Sequence, residues 1–374
     1  MNEEENRPLS DEENFTNRFY ILNACVTILL IAAIFISIHQ FGVQAWQIRK
    51  QIALILPGEK NQLGWDSSQY LAFKSICDES DYGLVVRENV PADYESCQKV
   101  ADELSKRGVT AIAFTNGCLL SDIRKIEKEH PKINFFTIES ISAFWSSGRA
   151  TILSFEASYL AGILAGLQTK TNKIGYIAPF LEPEVNQSIN AFTLGVQRVN
   201  PNAEILLNWT GDWNTPLNEE QAVQNLKAER VDVLTYHQNG DTIPNTARRA
   251  GIKFISFNET YPDNNYYLGA ITIDWKKIYS DILKHKFGNE ARGNTAYGIV
   301  QDVINLKVSD KVATREKVFV EAVKWELTHG RIIFCGDIFD RNGVQRCGAN
   351  ETMSFQNMDK NMNWLIRGVR IVGN

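Results

Sequence analysis

Across its 374 residues the chain has no long basic run, no G-x-x-x-x-G-K-[ST] phosphate loop and no G-x-S-x-G nucleophile elbow. The first absence, with a net charge of only −5, argues against nucleic acid and anionic membrane surfaces as partners. The other two remove the commonest sequence signals of nucleotide hydrolysis and serine acyl transfer. Histidine is scarce, and His39, His130, His237, His285 and His329 show no paired metal-ligand spacing. Only ten prolines and 22% charged residues accompany 44% hydrophobic content, so disorder and low-complexity repeats are poor explanations. What remains is a globular chain able to bury a large core, with no enzyme activity and no cofactor expected. A neutral or weakly charged small ligand suits this charge balance.

The N-terminus is different in kind. Residues 1–18, MNEEENRPLSDEENFTNR, are polar and acidic and read as a short unstructured tail. Phe19 to Phe41 then carries no charged side chain. At about 1.5 Å per residue such a stretch crosses a bilayer as a helix. Arg7 and Arg18 before it are balanced by Arg49 and Lys50 after it, so the positive-inside comparison is a tie. A cleaved secretory signal is the rival reading, because Val43-Gln44-Ala45 resembles a small-residue cleavage site. The long acidic start and the length of the apolar segment favour an uncleaved anchor. Residues 42–50 form a linker, and 51–374 form the folded part.

Six cysteines bear on the compartment. Cys335 and Cys347 flank the turn sequence Asp340-Arg341-Asn342-Gly343 at similar distances, which suggests that they face each other across a hairpin. Cys77 and Cys97 are a second possible pair, with free buried thiols as the alternative for both. Two bridges would favour an oxidising compartment.

From residue 51 onward, short apolar runs alternate with amphipathic stretches, the pattern of an α/β fold. Strands are expected at 52–56, 83–86, 109–114 and 133–138, with helices at 66–76, 94–106 and 121–129. A connecting strand at 150–155 and a helix at 156–168 follow, and then the pattern restarts. The second series has strands at 173–178, 203–207, 231–236 and 252–257 and helices at 184–199, 218–228 and 242–250. Two mainly parallel half-sheets flanked by helices imply two lobes, with a ligand cleft at the strand C-termini. Lobe one is expected over 51–152 with a returning segment near 268–310, and lobe two over 170–259 with parts of the C-terminal region.

Candidate ligand residues are therefore those just after strands. Trp65 and Asp66 lie at a helix entrance after the first strand, where Asp66 also reads as an N-cap. Trp213 lies after a strand of the second lobe, so two indoles are placed to sandwich a flat heterocycle when the lobes close. Asn116, Asn239 and Asn258 follow three further strands and offer amide donors and acceptors, with turn or cap roles as the alternative. His237 has no partner histidine and reads as a wall residue of the cleft.

Three stretches carry a family resemblance: IALILPGEKNQLGWDSSQY, SFEASYLAGILAGLQTKTNKIGYIAP and PEVNQSINAFTLGVQRVNP. With TGDW, DVLTYHQNGDTIPNTARRAGI and LGAITIDW, the chain from about residue 50 to 374 resembles the basic membrane protein family of substrate-binding proteins. These are related to purine- and nucleoside-binding lipoproteins of ABC uptake systems. The resemblance implies a two-lobed type I periplasmic-binding fold, an extracytoplasmic location and a purine base or nucleoside as ligand. It implies an ABC permease as partner, a membrane-tethered sensor acting through another protein being the alternative. Trp65 and Trp213 fall at the family's stacking aromatics, and Asp66, Asn116, Asn239 and Asn258 at or near its polar contacts. Gln62 stands where many relatives carry Asp, Asp66 where they often carry Asn, and a helix stands where they carry a lipid anchor.

Overall fold

The structure, a computed structural model, describes residues 11–46, 50–139, 142–145, 148–287 and 295–373. The chain divides into two compact units, Met1–Lys50 and Gln51–Asn374. In the first, α1 (Asp11–Trp46) is one continuous helix. Its segment Arg18–Ser37, with a mean hydropathy of 2.6, is long and apolar enough to cross a membrane by length and composition. The helix is longer at both ends than the sequence suggested. Asp11, Glu12 and Glu13 lie at its N-terminus, where negative charge complements the helix dipole, and a helix already nucleated extends at little further cost. Residues 11–18, expected as an unstructured tail, and 42–46, expected as linker, are thus helical. The remainder of those two expected segments, 1–10 and 47–49, lies outside the described residues.

The larger unit opens with β1 (Gln51–Ile55), α2 (Trp65–Asp78), β2 (Gly83–Arg87), α3 (Tyr94–Lys106), β3 (Val109–Phe114) and α4 (Leu120–Glu129). It continues through β4 (Asn134–Glu139), β5 (Ser142–Trp145), β6 (Gly148–Ile152) and α5 (Ser154–Gln168). The second series is β7 (Lys173–Ala178), α6 (Pro183–Val199), β8 (Glu204–Trp209), α7 (Pro216–Ala228), β9 (Val233–Tyr236), α8 (Thr242–Ala250), β10 (Lys253–Phe257) and β11 (Tyr267–Ile273). The rest comprises α9 (Trp275–Phe287), β12 (Thr295–Tyr297), β13 (Ile304–Val308), α10 (Thr314–Thr328), β14 (Ile338–Phe339), β15 (Gln345–Cys347), α11 (Phe355–Asn361) and β16 (Val369–Ile371).

Two seven-stranded sheets result, ordered β12-β6-β5-β4-β3-β1-β2 and β13-β11-β10-β9-β7-β8-β16. The apolar runs seen in the sequence become their central strands. In β1, Ile52, Ala53, Leu54 and Ile55 are all fully buried, as expected of a parallel strand covered on both faces. The first sheet departs from the expected parallel pattern at β5, which pairs antiparallel with both β4 and β6. The returning segment is also shorter than 268–310. β11 and β13 belong to the second sheet, while α9 packs on α2 and β12 extends the first sheet beside β6.

The chain passes between the sheets three times: after β6, between β11 and α9, and between β12 and β13. These passages are tied together by Leu153 N–H to Tyr297 O (2.8 Å), Asp274 N–H to Val303 O (2.7 Å) and Ile299 N–H to the Glu156 carboxylate (2.7 Å). Lobe two is organised by α5 against α6. A Cβ on Gly162 would stand 2.0 Å from Phe192 O, and one on Gly195 2.1 Å from Tyr159 O, so each helix presents a glycine where the other's backbone touches it. The glycines of the LAGILAG and FTLGV stretches therefore serve close helix packing.

The C-terminal segment returns to lobe two. β16 pairs parallel with β8, and the fully buried Asn190 of α6 donates to Trp364 O (3.0 Å) and accepts from Ile366 N–H (2.8 Å). The turn at Asp340 forms as expected, its buried carboxylate accepting from Asn342 N–H, Val344 N–H and Arg346. The cysteine pairings are not made. Cys347 lies opposite Ile338 and Cys335 opposite Thr352, because the register of the hairpin offsets the two cysteines along it. Cys77 lies on α2 and Cys97 on α3, where the neighbour of Cys97 is Cys118. All six thiols are free.

Candidate functional site

The loops that follow β1 and β3 in one lobe and β7, β8, β9 and β10 in the other converge between the sheets. Among the described residues three hydrogen bonds cross this cleft. Gly240 N–H donates to Leu63 O (3.1 Å), and the Glu259 carboxylate accepts from Gly64 N–H (3.0 Å) and from the Ser67 hydroxyl (3.1 Å). Gly64 has a left-handed backbone, φ 100°, and a Cβ there would stand 2.9 Å from Gly240 N. Glycine at this point lets the two backbones touch, and the lobes are closed upon each other.

On the lobe-one side, Trp65 opens α2 and is half-buried. Its indole N–H donates to Thr115 O (2.8 Å), and its ring meets Trp275 edge-on at 5.1 Å between centroids. Because the polar edge is engaged within the lobe, the ring surface is what Trp65 has to offer a ligand. Asp66 is not the N-cap; Gly64 holds that position, without a side-chain bond, because its left-handed backbone starts the helix. The Asp66 carboxylate instead accepts from Gly58 N–H (3.2 Å) and pins the 57–64 loop. Burial pushes its pKa up to about 6, the Glu88 carboxylate adding to the rise and the Gly58 N–H opposing it. Asn116 spends its Nδ2 on Val90 O (3.2 Å) and Pro91 O (3.0 Å), so it bridges two strand-end loops while its Oδ1 is buried without a partner among the described residues.

The lobe-two side is lined with rings. Trp213 meets Phe180 and His237 edge-on, each at 5.6 Å, and His237 lies tilted over Phe257 at 4.4 Å. Burial depresses the His237 pKa to about 4, so the imidazole is neutral at pH 7, and its Nδ1 has no partner among the described residues. Asn239 N–H donates to Trp213 O (3.1 Å), which ties two of the sequence candidates together beside the lobe contact at Gly64. Asn258 takes a left-handed backbone, φ 66°, which asparagine tolerates better than most residues. Its N–H donates to Ile271 O (2.7 Å), and its Oδ1 is buried and unpartnered among the described residues.

All six candidates thus stand at strand C-termini or helix starts around one cleft, the two indoles in opposite lobes. Phe257 and Glu259 flank Asn258 in a post-strand segment that the sequence marks as a source of polar groups, whereas Phe180 was not singled out, although it too follows a strand. Among the described residues no group of three or more His, Cys, Asp or Glu side chains is placed to hold a metal ion. The arrangement offers aromatic faces and unpartnered amide and imidazole atoms between two lobes that close by direct contact.

Two α/β lobes joined by three passages, with facing strand ends, define the periplasmic-binding class of fold. The chain belongs to the Bmp family, ABC transporter substrate-binding protein PnrA-like, whose model matches residues 49–333. The purine-binding protein BAB2_0673 of Brucella abortus is 24% identical over 329 residues, 85% of this chain and 92% of that one. The putative ABC transporter glucose-binding protein TsgA13 of Haloferax volcanii is 27% identical over 235 residues, 62% of this chain and 60% of that one. A solute-binding protein of an ABC transporter system from Aeropyrum pernix has the same fold, with a TM-score of 0.63 at 15% identity over 76% of this chain and 93% of that one.

Proposed function

We propose that this chain captures a purine base or nucleoside by lobe closure outside the cytoplasmic membrane, held there by α1, and hands it to an ABC permease. The family is one of substrate-binding proteins, which supports capture as the function. The observation that carries the ligand class is the pair of half-buried indoles, Trp65 and Trp213, on opposite lobes of a cleft whose unpartnered atoms are amide and imidazole: Asn116 Oδ1, Asn258 Oδ1 and His237 Nδ1. Aromatic faces stack on a planar base, and amides and a neutral imidazole pair with its edge or with sugar hydroxyls. A hexose offers hydroxyls and only small apolar faces to such a site. The Brucella relative is named for purine binding, in line with this reading.

Membrane attachment rests on the 20-residue apolar segment of α1, whose side chains from Tyr20 to Ile36 are exposed to the surroundings. A segment of this length that is apolar on all sides belongs in lipid. The ligand assignment is tested by a thermal-shift panel on Gln51–Asn374 with adenosine, guanosine, inosine, hypoxanthine, glucose, ribose and amino acids. A ligand that binds only the folded state raises the melting temperature by mass action. Purines or their nucleosides are expected to give the shift; a shift with glucose alone overturns the ligand class.

A further inference from the structure

Behind the Asn116 loop lies a pair of thiols that ligand binding does not explain. Cys97 is in the first turns of α3, and Cys118 follows β3 two residues after Asn116. Both are fully buried in the same apolar cluster, with Val90, Phe114 and Ile123 around them. Their thiols are hydrogen-bonded to each other, and Asn116 Nδ2 also donates to Cys97 Sγ (3.5 Å). With Cys118 as donor, Cys97 is held below the usual thiol range by that bond, helped by Asn116, while Cys118 is pushed above it. Two thiols in hydrogen-bond contact are a side-chain rotation away from bonding distance, and Asn116, two residues before Cys118, holds that loop against Cys97.

We propose that Cys97 and Cys118 are a dithiol pair that closes to a disulfide when the domain folds under oxidising conditions, fastening the loop that carries Asn116 to α3. The oxidant is a protein disulfide of the thiol oxidoreductase class. The Cys97 thiolate attacks one of its sulfurs, forming a mixed disulfide and releasing one oxidant thiolate. The Cys118 thiolate then attacks Cys97 Sγ, forming the Cys97–Cys118 bond and expelling the second. Two protons leave the pair, and two electrons end on the oxidant's two thiols. Because both sulfurs are fully buried in the folded domain, the exchange takes place before α3 has packed on β3. That the natural compartment is oxidising rests on the proposed location outside the membrane.

The test has two arms. In the first, Gln51–Asn374 is refolded in a reduced/oxidised glutathione buffer, trapped with N-ethylmaleimide in denaturant and digested without reductant for mass spectrometry. The pair predicts one linked peptide joining Cys97 to Cys118, with Cys77, Cys335 and Cys347 alkylated. It also predicts a melting temperature that falls by about 5 °C on reduction in the wild type, as expected for removing a bridge across a loop of this size, and does not move in C97A/C118A. Alkylation of both Cys97 and Cys118 after refolding, or linkage of Cys97 to any other cysteine, overturns the proposal. In the second arm the full-length chain is trapped directly in bacterial cells. Free Cys97 and Cys118 there, with the bridge formed on refolding, would refute the extracytoplasmic placement and leave the pair supported.

Discussion

Replacing Glu259 by alanine should weaken ligand binding about 10- to 100-fold while leaving each lobe folded. The Glu259 carboxylate accepts two hydrogen bonds from the opposite lobe, from Gly64 N–H at 3.0 Å and the Ser67 hydroxyl at 3.1 Å. Hydrogen bonds to a charged group contribute about 1.5–3 kcal/mol each when well buried. Both use the same oxygen of a half-buried carboxylate, so about 1.5–3 kcal/mol for the two together is the better figure. These bonds exist only when the lobes are closed. Their loss therefore enters the apparent affinity directly, at a factor of ten for each 1.4 kcal/mol or so. Isothermal titration calorimetry with the purine nucleoside that gives the largest thermal shift measures it. Glu259→Gln keeps an acceptor oxygen without the charge and should fall between wild type and alanine. The melting temperature of the ligand-free protein should change little, since Glu259 supports neither lobe's core. An affinity within twofold of wild type for Glu259→Ala would refute the reasoning.

Further consequences follow from other contacts. Gly195→Ala puts a methyl group 2.1 Å from Tyr159 O and should destabilise the domain by about 1–3 kcal/mol or more in urea denaturation, through forced separation of α5 and α6. Asn190→Ala leaves Ile366 N–H and Trp364 O unpaired in the interior; a loss of about 2–4 kcal/mol is expected, with faster amide exchange at Ile366 than at Val185. The folded pKa of Asp66, about 6, lies above its ordinary value of 3.8, so the stability it contributes is fully present below about pH 3.8 and is lost as pH rises through 6. Asp66→Asn should consequently gain stability relative to wild type between pH 4 and 7 as read by urea midpoints, and a constant difference across that range would count against a buried carboxylate. Trp213→Ala should weaken nucleoside binding by roughly 5- to 100-fold, the loss of one stacked face; unchanged calorimetric affinity would remove Trp213 from the site.

The alternation of apolar runs made the two sheets legible in the sequence because their central strands are buried on both faces and read as continuous hydrophobic segments. Ile52 to Leu56 and Ile174 to Ala178 are of this kind. β5 was not legible, since Ser142–Trp145 is four residues long and owes its strand character to antiparallel partners on both sides. The rule that ligands meet α/β sheets at strand ends placed Trp65, Asn116, Trp213, Asn239 and Asn258 around the cleft. It said nothing of which polar ends were free, because that depends on tertiary partners: Thr115 O for the Trp65 indole, Val90 O and Pro91 O for the Asn116 amide. Glu259 and Gly64 belong to a contact between lobes, which no local pattern encodes. The cysteine pairings failed for the same reason. Spacing about a turn suggested Cys335 with Cys347, but the register of that hairpin sets Cys347 against Ile338 and Cys335 against Thr352.

The most direct measurement is a crystal structure of Gln51–Asn374 bound to the purine nucleoside that the thermal panel selects. The base is predicted to lie between Trp65 and Trp213, with His237 Nδ1 and Asn258 Oδ1 on its edge or its sugar and Glu259 still joined to Gly64. A base bound elsewhere, or lobes closed with both indoles out of contact with it, would contradict the account.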